Sequence, residues 1–242
     1  MPSSCGRGQA FSGWCFPVAI PSVLNRTWKM DGKKRTIAIA GNIGAGKSTL
    51  TELLSRKLGW EAFYEAVDEN PYLADFYRDM KAWSFHSQVF FLAKRLRHYH
   101  ELLRRDHSVI QDRSVYEDAE IFARNLYLQG HMSERDYATY RDIYESVVLF
   151  IPPPDLVVYL RASVSTLMER IAMRGRGYER NISRKYVEQL NRLYEEWIER
   201  FDLCPVLTIP ADELDFVADP HNLDIISSRI MDKLSGKETI EL

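Results

Sequence analysis

The eight residues Gly41-Asn-Ile-Gly-Ala-Gly-Lys-Ser48 constrain this chain more than any other stretch. They read G-x-x-x-x-G-K-[ST] and lie between an apolar, strand-like run, Thr36 to Ala40, and a helix-like run, Ser48 to Leu58. Glycine at 41, 44 and 46 lets the backbone take positive φ and bring its N–H groups close to an anion, because no Cβ intervenes. The helix that follows turns its positive end toward the same point. Lys47 then supplies a cation for the outer phosphates of ATP and Ser48 a hydroxyl for Mg²⁺, with Asn42, Ile43, Ala45 and Thr49 completing the loop. An incidental glycine-rich turn would not require Lys-Ser at a strand-to-helix junction.

Composition narrows the partners. The 242 residues suit one α/β domain with a sizeable core. Thirty-two Lys and Arg against 34 Asp and Glu leave a net charge of -2, so bulk electrostatics gives no case for nucleic acid or a membrane surface. No run approaches the roughly 18 apolar residues of a membrane span. Cys5, Cys15 and Cys204 follow no metal-binding spacing and read as reduced thiols in a cytoplasmic protein. Residues 1–34 read as an unstructured extension before a domain at 35–242. The first 30 lack Asp and Glu but hold too few arginines, and too little periodicity, for an organellar import signal.

From Arg35 onward strand-like and helix-like segments alternate, the signature of a parallel sheet covered on both faces. Candidate strands are Thr36 to Ala40, Glu61 to Tyr64, Val109 to Gln111, Leu156 to Leu160 and Val206 to Ile209. Ligands of such sheets bind beyond the carboxyl ends of the strands, which draws attention to the residues that follow each one. Glu65 stands where a carboxylate could take a proton from an attacking hydroxyl. Asp112-Arg113 offers a Mg²⁺ ligand beside a fixed cation, although a structural Asp-Arg pair would look the same. After the last strand, Ala211-Asp-Glu-Leu-Asp215-Phe216 is positioned to contact an adenine ring.

The long helix expected over Trp83 to Arg104 carries Gln88 and Arg95 two turns apart, on one face with Leu92. Asp118 and Phe122, four apart, share a face of the next helix. Polar groups in apolar stripes need partners; a nucleobase edge would serve, and so would a buried ion pair. Arg170, Arg174, Arg176, Arg180 and Arg184 fall within fifteen residues, interrupted by Gly175 and Gly177, which suits a lid over polyphosphate or a solvated basic helix end. Glu179 is the one acid among them, available to a sugar hydroxyl or to Arg176 or Arg180. The face of the following helix, including Tyr186, Leu190 and Tyr194, reads as packing.

Taken in order, the P-loop, Tyr64-Glu-Ala-Val-Asp-Glu-Asn-Pro-Tyr72, Trp83-Ser-Phe-His-Ser-Gln88, Asp112-Arg-Ser-Val-Tyr116, Met173-Arg-Gly-Arg176 and Asp212-Glu-Leu-Asp-Phe216 resemble the deoxynucleoside kinases, most closely the bacterial deoxyadenosine/deoxyguanosine branch. The resemblance spans about Thr36 to Leu234. It implies a P-loop kinase fold, a five-stranded parallel sheet wrapped by helices with an Arg-rich lid, commonly assembled as a homodimer. It also implies Glu65 as the base for the substrate 5′-hydroxyl and Arg113 as a phosphate-stabilising cation. Gln88 would bind the nucleobase, Phe122 would stack on it, Tyr77 and Glu179 would hold the 3′-hydroxyl, and Arg170, Arg174 and Arg176 would serve the lid. Many animal members carry tryptophan near the position of Asn70, so the wall of the base pocket departs from theirs.

An ionised Asp118 only accepts hydrogen bonds, so it favours an exocyclic amine and opposes the O4 of thymine, while Arg95 can donate to a purine N7 or O6. The expected reaction is transfer of the γ-phosphoryl group of ATP to a deoxynucleoside, deoxyadenosine or deoxyguanosine first, with deoxycytidine open. A thymidylate-kinase-like enzyme would need cations around an acceptor phosphate and no hydroxyl base. A non-catalytic relative serving as an assembly subunit would have no need of Lys47, Glu65 and Arg113 together.

Overall fold

The computed structural model describes residues 34–64, 69–179 and 182–235. The five apolar runs form strands Thr36–Gly41 (β1), Glu61–Phe63 (β2), Val109–Asp112 (β3), Leu156–Arg161 (β4) and Val206–Pro210 (β5). All pair in parallel in one sheet of order β2-β3-β1-β4-β5. β1, β3 and β4 are covered on both faces, so their sequences run apolar without alternation. β1 lies between β3 and β4, the place where the winding reverses and a crevice opens at the carboxyl ends.

Helices fill the connections: Lys47–Leu58 (α1), Leu73–Arg78 (α2), Met80–Leu103 (α3), Val115–Glu117 (α4), Arg124–Leu128 (α5), Glu134–Val148 (α6), Val164–Arg174 (α7), Arg184–Arg200 (α8) and Pro220–Leu234 (α9). α3 begins three residues ahead of the expected Trp83 because the Asp79 carboxylate caps it, accepting from the Ala82 amide at 3.1 Å. Between α4 and α5 the expected regular helix is instead a π-helical segment, Asp118–Ala123. Such a widened turn is a frequent mark of a functional position. α7 ends at Gly175, whose φ of 64° supplies the left-handed cap at which the lid turns away from the helix.

The core packs both faces of the sheet. Ile37, Ile39, Leu50, Leu54, Leu92, Ile110, Tyr140 and Tyr159 are all fully buried. Each large apolar side chain so removed from water contributes roughly 1.5–3 kcal/mol before entropy is charged against it. The phosphate loop is pressed against α7: a Cβ on Gly44, where φ is +85°, would lie 2.8 Å from the Leu167 carbonyl oxygen. Glycine is therefore required there both by conformation and by space.

Lys34, assigned on sequence to the extension, bonds to the domain, its Nζ donating to the Leu102 carbonyl at 3.0 Å and also to that of Arg105. The remainder of the extension lies outside the described residues. No helix among the described residues is long and apolar enough to cross a membrane.

Candidate active site

A cavity of about 300 Å³ opens at the carboxyl ends of the strands. Ile43, Gly44, Lys47 and Ser48 of the phosphate loop line it, with Tyr77 from α2, Gln88 from α3, and Asp112 and Arg113 at the end of β3. Asp118 and Phe122 of the π-helical segment and Arg174, Arg176 and Glu179 of the lid are the other expected residues in its lining. Residues separated by more than a hundred positions thus meet around one space of ligand size.

On the phosphate side, α1 starts at Gly46 with no side-chain cap and no acid in its first turn, which leaves its positive end available to an anion. Lys47 Nζ donates across the loop to the Asn42 carbonyl at 2.9 Å. The Asn42 side chain fixes the loop to α8, donating to the Val187 carbonyl and to Asn191 Oδ1, each at 3.1 Å. Gly41, Asn42, Ala45, Gly46 and Thr49 shape or flank the loop and do not line the cavity.

Ser48 Oγ donates to Asp112 Oδ2 at 2.5 Å, while Asp112 Oδ1 is buried with no hydrogen-bond partner among the described residues. A hydroxyl and a carboxylate with an unused oxygen are the hard donors that suit Mg²⁺, so these residues fit the expected metal. The described residues contain no cluster of three or more His, Cys, Asp or Glu suited to a metal.

Arg113 has a φ of 69°, the one non-glycine residue with positive φ among the described residues. That conformation is disfavoured for a side-chain-bearing residue and marks a backbone held in place by its surroundings. The Arg113 amide donates to the Ile39 carbonyl at 3.0 Å, and its guanidinium lies 4.1 Å from the centre of the Phe122 ring.

Arg95 stands one layer behind the cavity, not in its lining. It grips Asp118 with two nitrogens, Nε to Oδ2 at 3.1 Å and Nη2 to Oδ1 at 3.3 Å, with both side chains almost fully buried. Its Nη1 donates to the Asp112 and Arg113 carbonyls at 3.2 and 3.4 Å. The buried ion pair foreseen as the bland alternative is therefore present, and it also orients Asp118 at the cavity wall. Asn70, where the family departure was noted, lies outside the lining. Its amide donates to Ser87 Oγ and its carbonyl accepts from the Tyr72 amide, both at 3.0 Å.

The lid differs in its partners. Glu179 is buried and held by Arg174, whose Nη2 donates to both carboxylate oxygens at 2.6 and 2.7 Å, whereas Arg176 stands at 3.8 Å. Arg180 lies outside the described residues. Arg170 is bound to backbone instead, with Nη1 on the Ala45 carbonyl at 3.2 Å and Nη2 on that of Ala211 at 2.9 Å. It joins α7 to the phosphate loop and to the segment after β5. In that segment Asp215 accepts from the Val217 and Ala218 amides, and the Phe216 ring packs where a Cβ on Gly46 would come within 3.3 Å. Asp215, Phe216 and Arg170 do not line the cavity. Glu65 lies outside the described residues.

Tyr64, Leu73, Phe76, Phe91 and Tyr186 line the cavity without having been singled out, Tyr186 having been read as packing. Leu73, Phe76, Phe91 and Tyr186 lie on helices, where apolar character at helical spacing is indistinguishable in sequence from core, and Tyr64 directly follows β2. Glu117 was also missed: it is fully buried behind the phosphate loop. Its signal was available, because Ser114-Val-Tyr-Glu117 has the S-x-x-E spacing of a capping box, and that box is formed.

Residues 37–235 match the deoxynucleoside kinase family. A deoxyadenosine/deoxycytidine kinase of Bacillus subtilis is 40% identical over 200 residues, covering 82% of this chain and 92% of the relative. A deoxyguanosine kinase of Lactobacillus acidophilus is 38% identical over 207 residues, covering 82% and 90%. The solved structure of a deoxyadenosine kinase from M. mycoides with bound dATP superposes with a TM-score of 0.73 at 37% identity, covering 81% of this chain and 98% of that one.

The Arg95–Asp118 pair generates a stability test. Asp118→Ala removes the buried carboxylate that two Arg95 nitrogens hold, and is expected to cost about 3–5 kcal/mol. A urea titration monitored by circular dichroism reads this as a lowered midpoint. A loss below about 1 kcal/mol, the value of an exposed pair, would show that the pair is solvated.

Proposed function

The chain belongs to the deoxynucleoside kinase family, and we propose that it transfers the γ-phosphoryl group of ATP to the 5′-hydroxyl of deoxyadenosine or deoxyguanosine, a salvage reaction that yields the monophosphate and ADP. The observation that carries this reading is the cavity itself, where Lys47 and Ser48 of the phosphate loop share one space with Gln88, Asp118 and Phe122. A phosphate-binding end and an end that can read a base are both required for this transfer.

In this reading Gln88 and Asp118 address the edge of the base, Arg95 holds Asp118 in orientation, and Phe122 offers a face for stacking. Tyr77 and Glu179 address the sugar hydroxyl. Because Glu179 is engaged by Arg174, taking up the sugar would release that arginine toward the phosphates. Arg170, Asp215 and Phe216 shape the surroundings of the donor base. Glu65 is the proposed base that accepts the 5′-hydroxyl proton. Lys47, Arg113, Arg174 and Arg176 neutralise charge on the transferring group, which with positioning supplies most of the rate in such reactions. Ser48 and Asp112 would hold Mg²⁺, which would offset the negative charge of the phosphates there.

A carboxylate at Asp118 selects for an exocyclic amine, as on adenine N6 or cytosine N4. That agrees with a relative whose name joins deoxyadenosine and deoxycytidine. Thymine carries no exocyclic amine and is disfavoured, whereas guanine keeps one at N2.

Purified protein with MgATP is expected to turn over deoxyadenosine and deoxyguanosine ahead of thymidine in a coupled ADP-release assay, and to prefer deoxyadenosine to its monophosphate. Lys47→Ala should abolish the signal, Glu65→Gln should reduce kcat by about 10²-fold or more, and chelation of divalent ions should stop it reversibly. Preference for the monophosphate would make the enzyme a nucleoside monophosphate kinase. Near wild-type turnover by the Glu65 variant would remove that residue from the base role.

A homodimer is part of the same proposal. Leu128 on α5, Ile143 on α6 and Leu149-Phe150 just after it expose apolar side chains, Phe150 to 80%. A second copy would cover them. Sedimentation is expected to give twice the chain mass of 28.2 kDa, falling to that mass in Phe150→Asp, and a monomeric wild type would refute the assembly.

A further inference from the structure

Glu117 is fully buried, yet its two oxygens meet four donors from three walls of the site. Oε1 accepts from the Gly41 amide at 3.2 Å and the Tyr194 hydroxyl at 2.8 Å. Oε2 accepts from the Ser114 amide at 2.7 Å and the Ser114 hydroxyl at 3.1 Å. Gly41 opens the phosphate loop, Ser114 follows the strained Arg113, and Tyr194 lies on α8, the helix that leaves the lid. A helix cap accounts for Oε2 alone. Packing alone would be met better by an apolar side chain, since a buried carboxylate is costly to desolvate. Burial pushes this carboxyl's pKa upward, and the charges of Arg113 and Lys47, then the bonds from Ser114 and Tyr194, oppose that shift.

We propose that Glu117 is a positioning residue for phosphoryl transfer, tying the first amide of the phosphate loop to the backbone that aims Arg113, so that donor phosphates meet both in fixed register. The inference rests on the kinase reading above. Two geometric facts carry it. The Ser114 amide belongs to the peptide immediately after Arg113, so a short bond from a carboxylate to that amide holds the disfavoured φ of 69° in place. The other oxygen holds the amide from which the loop departs, and Tyr194 braces that oxygen from behind. Glu117 does not line the cavity, so its effect reaches the reaction through Gly41 and Arg113. Its removal should therefore disturb the donor side and spare the acceptor side.

Glu117→Gln keeps the shape but replaces one oxygen with an amide nitrogen that must face the N–H of Gly41 or of Ser114. Relative to wild type, kcat/KM for ATP is expected to fall by about 10- to 100-fold, the worth of one hydrogen bond to a charged group. The dissociation constant of deoxyadenosine, titrated without ATP, should change less than about threefold, since that interaction is untouched. Tyr194→Phe deletes only one hydroxyl donor and should weaken ATP use in the same direction by a smaller factor, which keeps the test decisive if the Glu117 variant fails to fold. Unchanged kcat/KM for ATP in the soluble variants, or loss of acceptor affinity by the same factor as ATP use, would overturn the positioning role. Should the wild type phosphorylate none of the four deoxynucleosides, the kinase reading falls separately. ATP dissociation constants of wild type and variants would then decide the positioning claim, equal values overturning it.

Discussion

The parallel register of β1 with β3 is the constraint on which the rest of the site depends. Ile39 pairs with Asp112, and the Arg113 amide donates to the Ile39 carbonyl at 3.0 Å, so β3 ends beside β1, which runs on to Gly41. Each then leaves the sheet by a backbone conformation that an ordinary residue avoids: Gly41, the last residue of β1, at a φ of 151°, and Arg113 at a φ of 69° after β3. The phosphate loop and the Asp112-Arg113 corner are therefore neighbours by consequence of sheet pairing. A slip of this pairing would separate Ser48 from Asp112 and Lys47 from Arg113, and no local change could restore them. Extended ladder hydrogen bonds and an apolar core make that slip costly, which explains why the chemistry sits on a rigid edge.

Behind this edge lies a second layer of buried charge. Arg95 reaches Asp118 with two bonds and the carbonyls of Asp112 and Arg113 with a third nitrogen, joining the base-facing wall to the phosphate-facing corner. Glu117 joins that corner to the phosphate loop and to α8. Buried ion pairs are weak contributors to stability, because desolvation offsets much of their attraction. Their value here is geometric: each fixes the direction of a group that faces the cavity. Arg174 and Glu179 form a third such link in the lid, half-exposed on the arginine side and thus easier to exchange for a ligand.

How much of this was legible in the sequence varies with the kind of signal. Strand positions were readable to within a residue or so, because continuous apolar runs next to glycine or charged residues leave few alternatives. The phosphate loop was readable because glycine, lysine and serine have separate physical tasks at fixed spacing. Helical periodicity also brought Gln88, Asp118 and Phe122 to one cavity, although it could not say that Arg95 stands behind the wall. The π-helical segment at 118–123 was not legible: one extra residue per turn leaves apolar spacing nearly unchanged over so short a span. Partner choice in the lid was equally hidden, since spacing alone puts Arg176 within reach of Glu179 as readily as Arg174, whereas in the fold Arg174 holds both carboxylate oxygens. For Glu117 the Ser-x-x-Glu spacing signals a helix cap, but that spacing does not say that the fold closes over the carboxylate.

The chemistry of this site comes down to the fate of one phosphoryl group. Mass spectrometry and NMR of the products formed from deoxyadenosine and MgATP measure it directly. The arrangement described here predicts the 5′-monophosphate and ADP in equal amounts, with no phosphate on the 3′-oxygen. ADP accompanied only by free phosphate, or deoxyadenosine recovered unchanged, would contradict it.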